Sequence, residues 1–188
     1  LTYQLEIGIV QEKSGKTKSQ RTINQVLSKL NGNKSQAISL ANTFVRHNMY
    51  REALKVYNLS EELAEKSYFG IQKAQLYSSL EEPEKMIYEY LNELARNPLQ
   101  KSMIISRVQR FLDNDGIKSD KNYKIVKNSL LRQLKKKDNI DLTEMLIWLF
   151  MQNHQFEMAL KQAIALDKRK KLDGEKVFDL AESFLDNE

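Results

Sequence analysis

Apolar residues recur along the chain in a pattern that repeats about every 33 residues. Ala41 is followed 33 residues later by Ala74, and Tyr57 is followed at the same spacing by Tyr90. Within a repeat, apolar positions fall three and four residues apart, which is the spacing of one face of an α-helix. Two such patterns, separated by a short polar turn, predict a helix–turn–helix unit. The sequence therefore predicts an all-α array of stacked helix pairs.

The period divides the chain into about five and a half repeats, or roughly 11 helices. Each full repeat contains helix A and then helix B, whose apolar faces meet. Pro83 is expected at the first position of a helix B, and Pro98 is expected just after that helix. The last repeat contains helix A alone, so we expect that the natural chain continues or, alternatively, that this helix caps the array. The repeats cover residues 1–33, 34–66, 67–100, 101–139, 140–173 and 174–188.

Two repeats depart from this outline. The repeat at residues 101–139 is longer than its neighbours, and we expect the extra residues in its turn or in its helix B. Helix A of the next repeat is expected to begin with Asp141 or Thr143 as its cap. It is unusually apolar between Met145 and Met151. A helix with apolar residues all round predicts either burial on several sides or an exposed binding face.

The small and aromatic residues of these repeats resemble the tetratricopeptide repeat. That family places a small residue and an aromatic in helix A, then an alanine and a second aromatic in helix B. Residues that match in the second repeat are Ala41, Phe44, Asn48, Tyr50, Ala53, Tyr57 and Ser60. The matches in the third are Ala74, Tyr77, Met86, Tyr90 and Pro98, and those in the fifth are Phe150, Phe156, Ala159 and Ala163. Met86 occupies the slot of an expected alanine, and at Met86, Glu93 and Ile147 the residue is larger than the family pattern has there.

The resemblance implies a single right-handed α-solenoid whose concave groove is lined by helices A. Members of the family commonly bind an extended peptide or a helix in that groove. Chaperone-binding members hold a terminal carboxylate with a clamp of Lys, Asn and Arg, but Ile38 stands where the Lys is needed, so that subclass is not expected. The predicted groove residues are Ile38, Asn42, Val45, Arg46, Tyr68, Ile71, Gln75, Ile105, Gln109, Trp148, Met151 and Gln152.

Two stretches, at residues 84–91 and 146–149, are also similar to repeat proteins of the Bacteroidetes cell-envelope type, as are residues 165–169. This second resemblance implies a role in protein interaction. It favours the bacterial periplasm or cell envelope, with the cytoplasm as the alternative.

Composition narrows the chemistry that these helices could support. The 188 residues include no cysteine, which excludes disulfides and thiol catalysis. No apolar run approaches the roughly 18 residues needed to span a bilayer. A repeat array would keep His47 and His154 apart, so we expect no metal site. Carboxylate neighbours such as Glu61 and Glu62 are expected on solvated faces. We therefore expect no cofactor and no enzymatic activity.

Positive charge is the remaining functional signal. The formal net charge is +5, with basic residues scattered among 25 acidic ones, which argues against dedicated nucleic-acid binding. The clearest runs are Lys135 to Lys137 and Lys168 to Lys171, both at the end of a helix B, where cations complement the helix dipole. They could also form a basic ridge.

Three functions remain open at this stage. The first is a protein-interaction scaffold that binds through the groove, in which Trp148, the single tryptophan, is either an anchor or a residue buried between repeats. The second is a structural repeat segment of a larger envelope protein. The third is binding of an anionic polymer or nucleic acid through the basic ridge.

Overall fold

The computed structural model describes residues 1–14, 19–64, 67–113, 120–171 and 173–185. Within these residues the chain forms eleven α-helices and no strand, which confirms the predicted all-α class and the predicted number of helices. None of these helices is both long and apolar enough to cross a membrane.

Contacts between Cα atoms divide the chain into two compact units. Unit 1 is Leu1–Glu89 and unit 2 is Tyr90–Glu188, so the boundary falls within the sixth helix. The finer division into stacked repeats, and their winding into one solenoid, remain predictions of the sequence period.

Unit 1 is formed by helices that pack mainly on their neighbours along the chain. Helix α1 contacts α2 and α3, α3 contacts α4, and α4 contacts α5. The helices are α1 (Thr2–Lys13), α2 (Ser19–Leu27), α3 (Lys34–Arg46), α4 (Tyr50–Leu63), α5 (Gly70–Ser79) and α6 (Pro83–Arg96). Helix α6 begins at Pro83 and ends before Pro98, as the sequence predicts.

Small and aromatic residues alternate in the core of unit 1. Ala41 of α3 and Ala53 of α4 are fully buried, so the two helices approach closely there. Phe44 fills the adjacent space and is fully buried. The ring of Tyr57 lies 4.8 Å from that of Phe69, centroid to centroid, and this contact links α4 to the start of α5.

Unit 2 contains the longest described helix and the most apolar one. Helix α9 contacts α8 and α10, and α10 contacts α11. The helices are α7 (Lys101–Asp113), α8 (Asp120–Lys136), α9 (Ile140–Gln152), α10 (Phe156–Lys170) and α11 (Glu175–Leu185), preceded by a 3-10 turn at Pro98–Gln100. Helix α8 has 17 residues, which accounts for part of the extra length of its repeat. The turn before α8, residues 114–119, lies outside the described residues.

The beginning of α9 corrects the predicted cap. Asn139, rather than Asp141 or Thr143, is the N-cap, and its side-chain oxygen accepts a hydrogen bond from the backbone N–H of Leu142 at 2.9 Å. The helix begins earlier than expected because Asn139 adopts an extended backbone and satisfies a free N–H of the first turn. Thr143 instead lies buried within the helix.

Three turns between helices have the same backbone geometry. Asn48, Glu81 and His154 adopt left-handed conformations with φ of 62°, 55° and 54°. In each turn the following N–H bonds back to the carbonyl of an aromatic residue five positions earlier, as in the 3.0 Å bond from Met49 to Phe44. This is a Schellman-type helix end, which favours glycine at the left-handed position. The period in the sequence is thus matched by the backbone at these turns.

Candidate functional site

The predicted groove residues are divided between the two units. Seven lie in unit 1 and five lie in unit 2. Asn42, Arg46, Gln75 and Gln152 are exposed, and the others, which include the polar Gln109, are partly buried. Each set therefore offers a surface with exposed polar groups beside partly buried side chains.

On α3, the four predicted residues form a face with apolar and polar members. Ile38 and Val45 are partly buried and pack against the core of unit 1. Asn42, which lies between these two residues along the chain, is exposed. Arg46 is exposed but already engaged, since its Nη2 atom donates a hydrogen bond to Oε1 of Glu6 at 2.6 Å. The guanidinium group at the end of this face is thus shared with α1.

Glu6 is the centre of a small polar cluster between α1 and the end of α3. Its second oxygen lies 2.6 Å from Nε2 of His47. The other ring nitrogen of His47 lies 3.2 Å from Nζ of Lys13. Hydrogen bonds from Arg46 and His47 lower the pKa of Glu6 below its usual value. The cluster fixes α1 on α3 and holds Arg46 in place.

A buried charged network lies at the start of α5. Lys73 is only 5% exposed, and its Nζ atom lies 2.8 Å from Oε2 of Glu61 and 3.2 Å from Oε1 of Glu89. The hydroxyl of Tyr68 donates a 2.5 Å hydrogen bond to the second oxygen of Glu89. The backbone N–H of Phe69 donates to Glu61 at 2.9 Å. Tyr68, predicted as a groove residue, is therefore also part of this network.

Electrostatics within the network favour the charged form of its lysine. Burial by itself lowers the pKa of Lys73, but the hydrogen bond to Glu61 and the charge of Glu89 outweigh it, so the pKa is raised. Glu61 was expected on a solvated face, and that expectation is wrong, because its carboxylate is held by Lys73 and by a backbone N–H. The arrangement joins three helices through paired charges.

The sequence contained a signal for this network that the pattern analysis missed. Lys73 and Glu89 come 33 residues after Leu40 and Val56, which are both buried apolar residues. A Lys and a Glu thus stand at two positions whose equivalents in the preceding repeat hold buried apolar residues. Opposite charges placed together at core positions indicate a buried ion pair, since either charge alone would be costly to bury.

In unit 2, α9 presents the remaining candidates. Trp148 and Met151 are partly buried and Gln152 is exposed, whereas Leu149 and Phe150 are buried. The all-apolar composition of α9 is thus explained mainly by burial, with its tryptophan left partly accessible. The other candidates lie on α7, where Ile105 and Gln109 are partly buried and the amide of Gln109 donates to Asp113 at 2.8 Å.

A mostly apolar cleft of about 210 Å³ lies between α9, α10 and α11. Two carboxylates lie at this cleft, and both are engaged: Glu144 binds Lys101, and Asp167 accepts the backbone N–H of Gly174 at 2.9 Å. The lining residues are Glu144, Ile147, Ala163, Leu166, Asp167, Val177 and Leu180.

The two basic runs of unit 2 are linked through one carboxylate. Asp138 follows the first run directly, and its carboxylate binds Nη2 of Arg169 at 3.1 Å and Nζ of Lys170 at 3.0 Å. The hydrogen bond from Lys170 and the charge of Arg169 lower the pKa of Asp138. The predicted basic ridge therefore has a structural counterpart within this unit.

Metal binding finds no support in the part of the chain that the structure describes, where His, Asp and Glu residues form no group of three or more able to hold an ion. Neither a protein-family model nor a curated protein matches the sequence.

Proposed function

We propose that the chain is a non-enzymatic scaffold for protein interaction and that it binds a peptide or protein segment through its helix-A surfaces. The observation that carries this proposal is the partial accessibility of Trp148, on a helix whose neighbouring residues Leu149 and Phe150 are buried. Tryptophan is enriched among the residues that dominate binding energy at interfaces. Met151 beside it adds an adaptable apolar contact.

Repeat architecture gives further support. The turns at Asn48, Glu81 and His154 share one geometry, as expected of tetratricopeptide-like helix pairs. Proteins built in this way commonly bind a helix or an extended segment against their exposed helix faces. The tetratricopeptide resemblance and the solenoid are part of this proposal.

The experiment is a selection of linear peptides from a display library against the whole chain. Because Trp148 is the only tryptophan, its fluorescence reports directly on whether a selected peptide binds beside it. We expect a spectral shift on binding and a loss of affinity of at least about tenfold in Trp148→Ala. Leu99→Ala is the matched control, since Leu99 is 94% exposed and its removal leaves no cavity. The proposal would be contradicted by peptides that bind Trp148→Ala and Leu99→Ala equally well and that leave the tryptophan fluorescence of the original chain unchanged.

A second candidate is a structural segment of a larger envelope protein. Tyr3 and Val10 on α1 are 76% and 54% exposed, and large exposed apolar side chains on one helix favour packing against further helices. Hydrogen exchange in α1 should then be slower in the complete polypeptide than in this chain alone. Equal exchange rates, or a complete reading frame that adds no helices, would exclude this candidate.

A further inference from the structure

A cluster of seven cations forms one exposed region of unit 2. Asp138 joins its two halves by binding Arg169 and Lys170 at 3.1 and 3.0 Å. The cations lie at the C-terminal ends of α8 and α10 and just beyond them. We call this set the basic surface, and it consists of Lys135, Lys136, Lys137, Lys168, Arg169, Lys170 and Lys171, all of them exposed.

The basic surface has a large excess of positive charge. Within the described residues, Asp138 is the acid that pairs with these cations, and the five other lysines have no ion pair there. The acids near these runs along the chain make other contacts: Asp141 lies 3.5 Å from Lys101, Asp167 accepts the N–H of Gly174, and Asp173 accepts the N–H of Glu175 at 3.2 Å. This surface is therefore suited to a partner that carries many negative charges.

The kind of cation indicates what sort of anion fits. Six of the seven are lysines, which are compact charges on flexible stems. Such charges adapt to a field of many phosphates, whereas recognition of carboxylates on an acidic peptide favours the planar fork of arginine. The ends of α8 and α10, where the cations lie, present carbonyl groups rather than N–H donors.

Two exposed apolar side chains lie near the cations along the chain. Ile140, which begins α9 two residues after Asp138, is 41% exposed. Phe178, in the first turn of α11, is 64% exposed. The start of α11 lies close to the end of α10, since the N–H of Gly174 binds Asp167. Lysines combined with protruding apolar residues are typical of surfaces that lie on an anionic membrane.

We propose that the basic surface binds the face of an anionic phospholipid bilayer. Its lysines lie at the level of the lipid phosphates, and Ile140 and Phe178 enter the interfacial region. This attachment is peripheral and requires no membrane-spanning helix. It is independent of the peptide binding proposed above, because it uses other residues.

The test is cosedimentation of the whole chain with vesicles. Vesicles of about 70% phosphatidylcholine and 30% phosphatidylglycerol should bind the protein at about 0.05 M salt and release it at about 0.5 M. Vesicles of phosphatidylcholine alone should bind little. Lys135→Gln/Lys136→Gln/Lys137→Gln should weaken binding by between about tenfold and a hundredfold.

A matched control removes three exposed cations elsewhere in unit 2: Arg110→Gln/Lys121→Gln/Lys124→Gln. Lys124 lies about 16 Å along α8 from Lys135, at 1.5 Å per residue. This variant should bind within about twofold of the original protein. If it weakens binding as much as the first variant, only the net charge matters and the proposed surface is wrong. Circular dichroism of both variants verifies that the helices are intact.

Insertion is tested with a single tryptophan moved to the surface. In Trp148→Phe/Phe178→Trp the new indole should be quenched by lipids brominated on their acyl chains. Bound protein without quenching would overturn the placement of Phe178. No binding to the anionic vesicles, together with binding to a DNA or RNA oligonucleotide at the same salt, would assign the surface to nucleic acid and overturn the membrane proposal.

Discussion

Lys73 lies with its Nζ atom 2.8 Å from Oε2 of Glu61, and this contact ties α5 to α4 through a buried ion pair. Glu89 of α6 completes the network from the other side at 3.2 Å. A buried charge is costly without its partner, so removal of one member of the network leaves the remaining charges uncompensated and destabilises the fold.

Replacement of Lys73 by leucine should therefore destabilise the chain by about 3–5 kcal/mol in urea unfolding, because two carboxylates lose their cation. Lys55→Leu is the control, since the side chain of Lys55 is 71% exposed and its Nζ atom lies as far as 3.9 Å from Oε1 of Glu52. This substitution should change stability little. The double variant Lys73→Leu/Glu89→Val, which reproduces the apolar pair Leu40 and Val56, should recover most of the loss. A single variant as stable as the original would show that the network adds nothing.

Stability should fall steeply in strong alkali. Burial raises the pKa of Tyr57 to about 12 from its ordinary value of 10.0. Between these values the unfolded chain loses a proton that the folded chain keeps, so stability decreases as pH rises. Lys73, whose pKa is also raised, acts in the same direction above its ordinary value of 10.5.

Tyr57→Phe should remove the tyrosine part of this dependence, which is about 2.7 kcal/mol for a shift of two pKa units. The measurement is urea unfolding at about pH 9 and about pH 12, with tyrosinate absorbance followed in parallel. Tyr3→Phe is a control, since Tyr3 is 76% exposed. An unchanged slope in Tyr57→Phe would contradict the assignment.

Two glycines with positive φ should respond differently to alanine. At Gly32 (φ 76°) an added Cβ would lie 2.7 Å from Cβ of Ala64, whereas at Gly174 (φ 80°) nothing lies within 4 Å. Gly174→Ala should cost only the left-handed backbone strain, about 1–2 kcal/mol. Gly32→Ala adds a steric clash between the segment before α3 and the residue after α4. It should therefore cost about 1–3 kcal/mol more than Gly174→Ala. Equal losses of unfolding free energy would refute the close approach at Gly32.

The left-handed turns should accept glycine. Glu81 is exposed with φ of 55°, so Glu81→Gly relieves backbone strain that glycine does not incur. The greater flexibility of glycine in the unfolded state partly offsets this effect. We therefore expect the free energy of unfolding to rise by up to about 1 kcal/mol, measured by thermal or urea unfolding. Lys55→Gly within α4 should instead lose about 1 kcal/mol. A loss of that size at Glu81 would argue against the Schellman-type turn.

Much of the local structure could be predicted from residue patterns. The apolar spacing predicted the all-α class and the number of helices, Pro83 marked the first residue of α6, and the small and aromatic pattern singled out Ala41 and Phe44, which are both buried. These features depend on residues within a few turns of one another. The cap of α9 was missed because Asn139 and Asp141 are both good caps, and the pattern does not decide between neighbouring starts.

The candidate sites depended more on packing. The sequence placed Tyr68 at a helix-A surface and Glu61 in solvent, yet both belong to the network around Lys73. It identified two lysine runs but not the contact through Asp138 that joins them.

By itself, then, the sequence determined that the chain is all-α, that it has about eleven helices, and that one of them begins at Pro83, because periodicity and turn chemistry act over short stretches of chain. Only the tertiary structure decided which distant side chains meet: Lys73 with Glu61 and Glu89, and Asp138 with Arg169 and Lys170. The physical reason is that such contacts depend on how helices dock, and docking is set by the summed packing of many side chains rather than by local spacing.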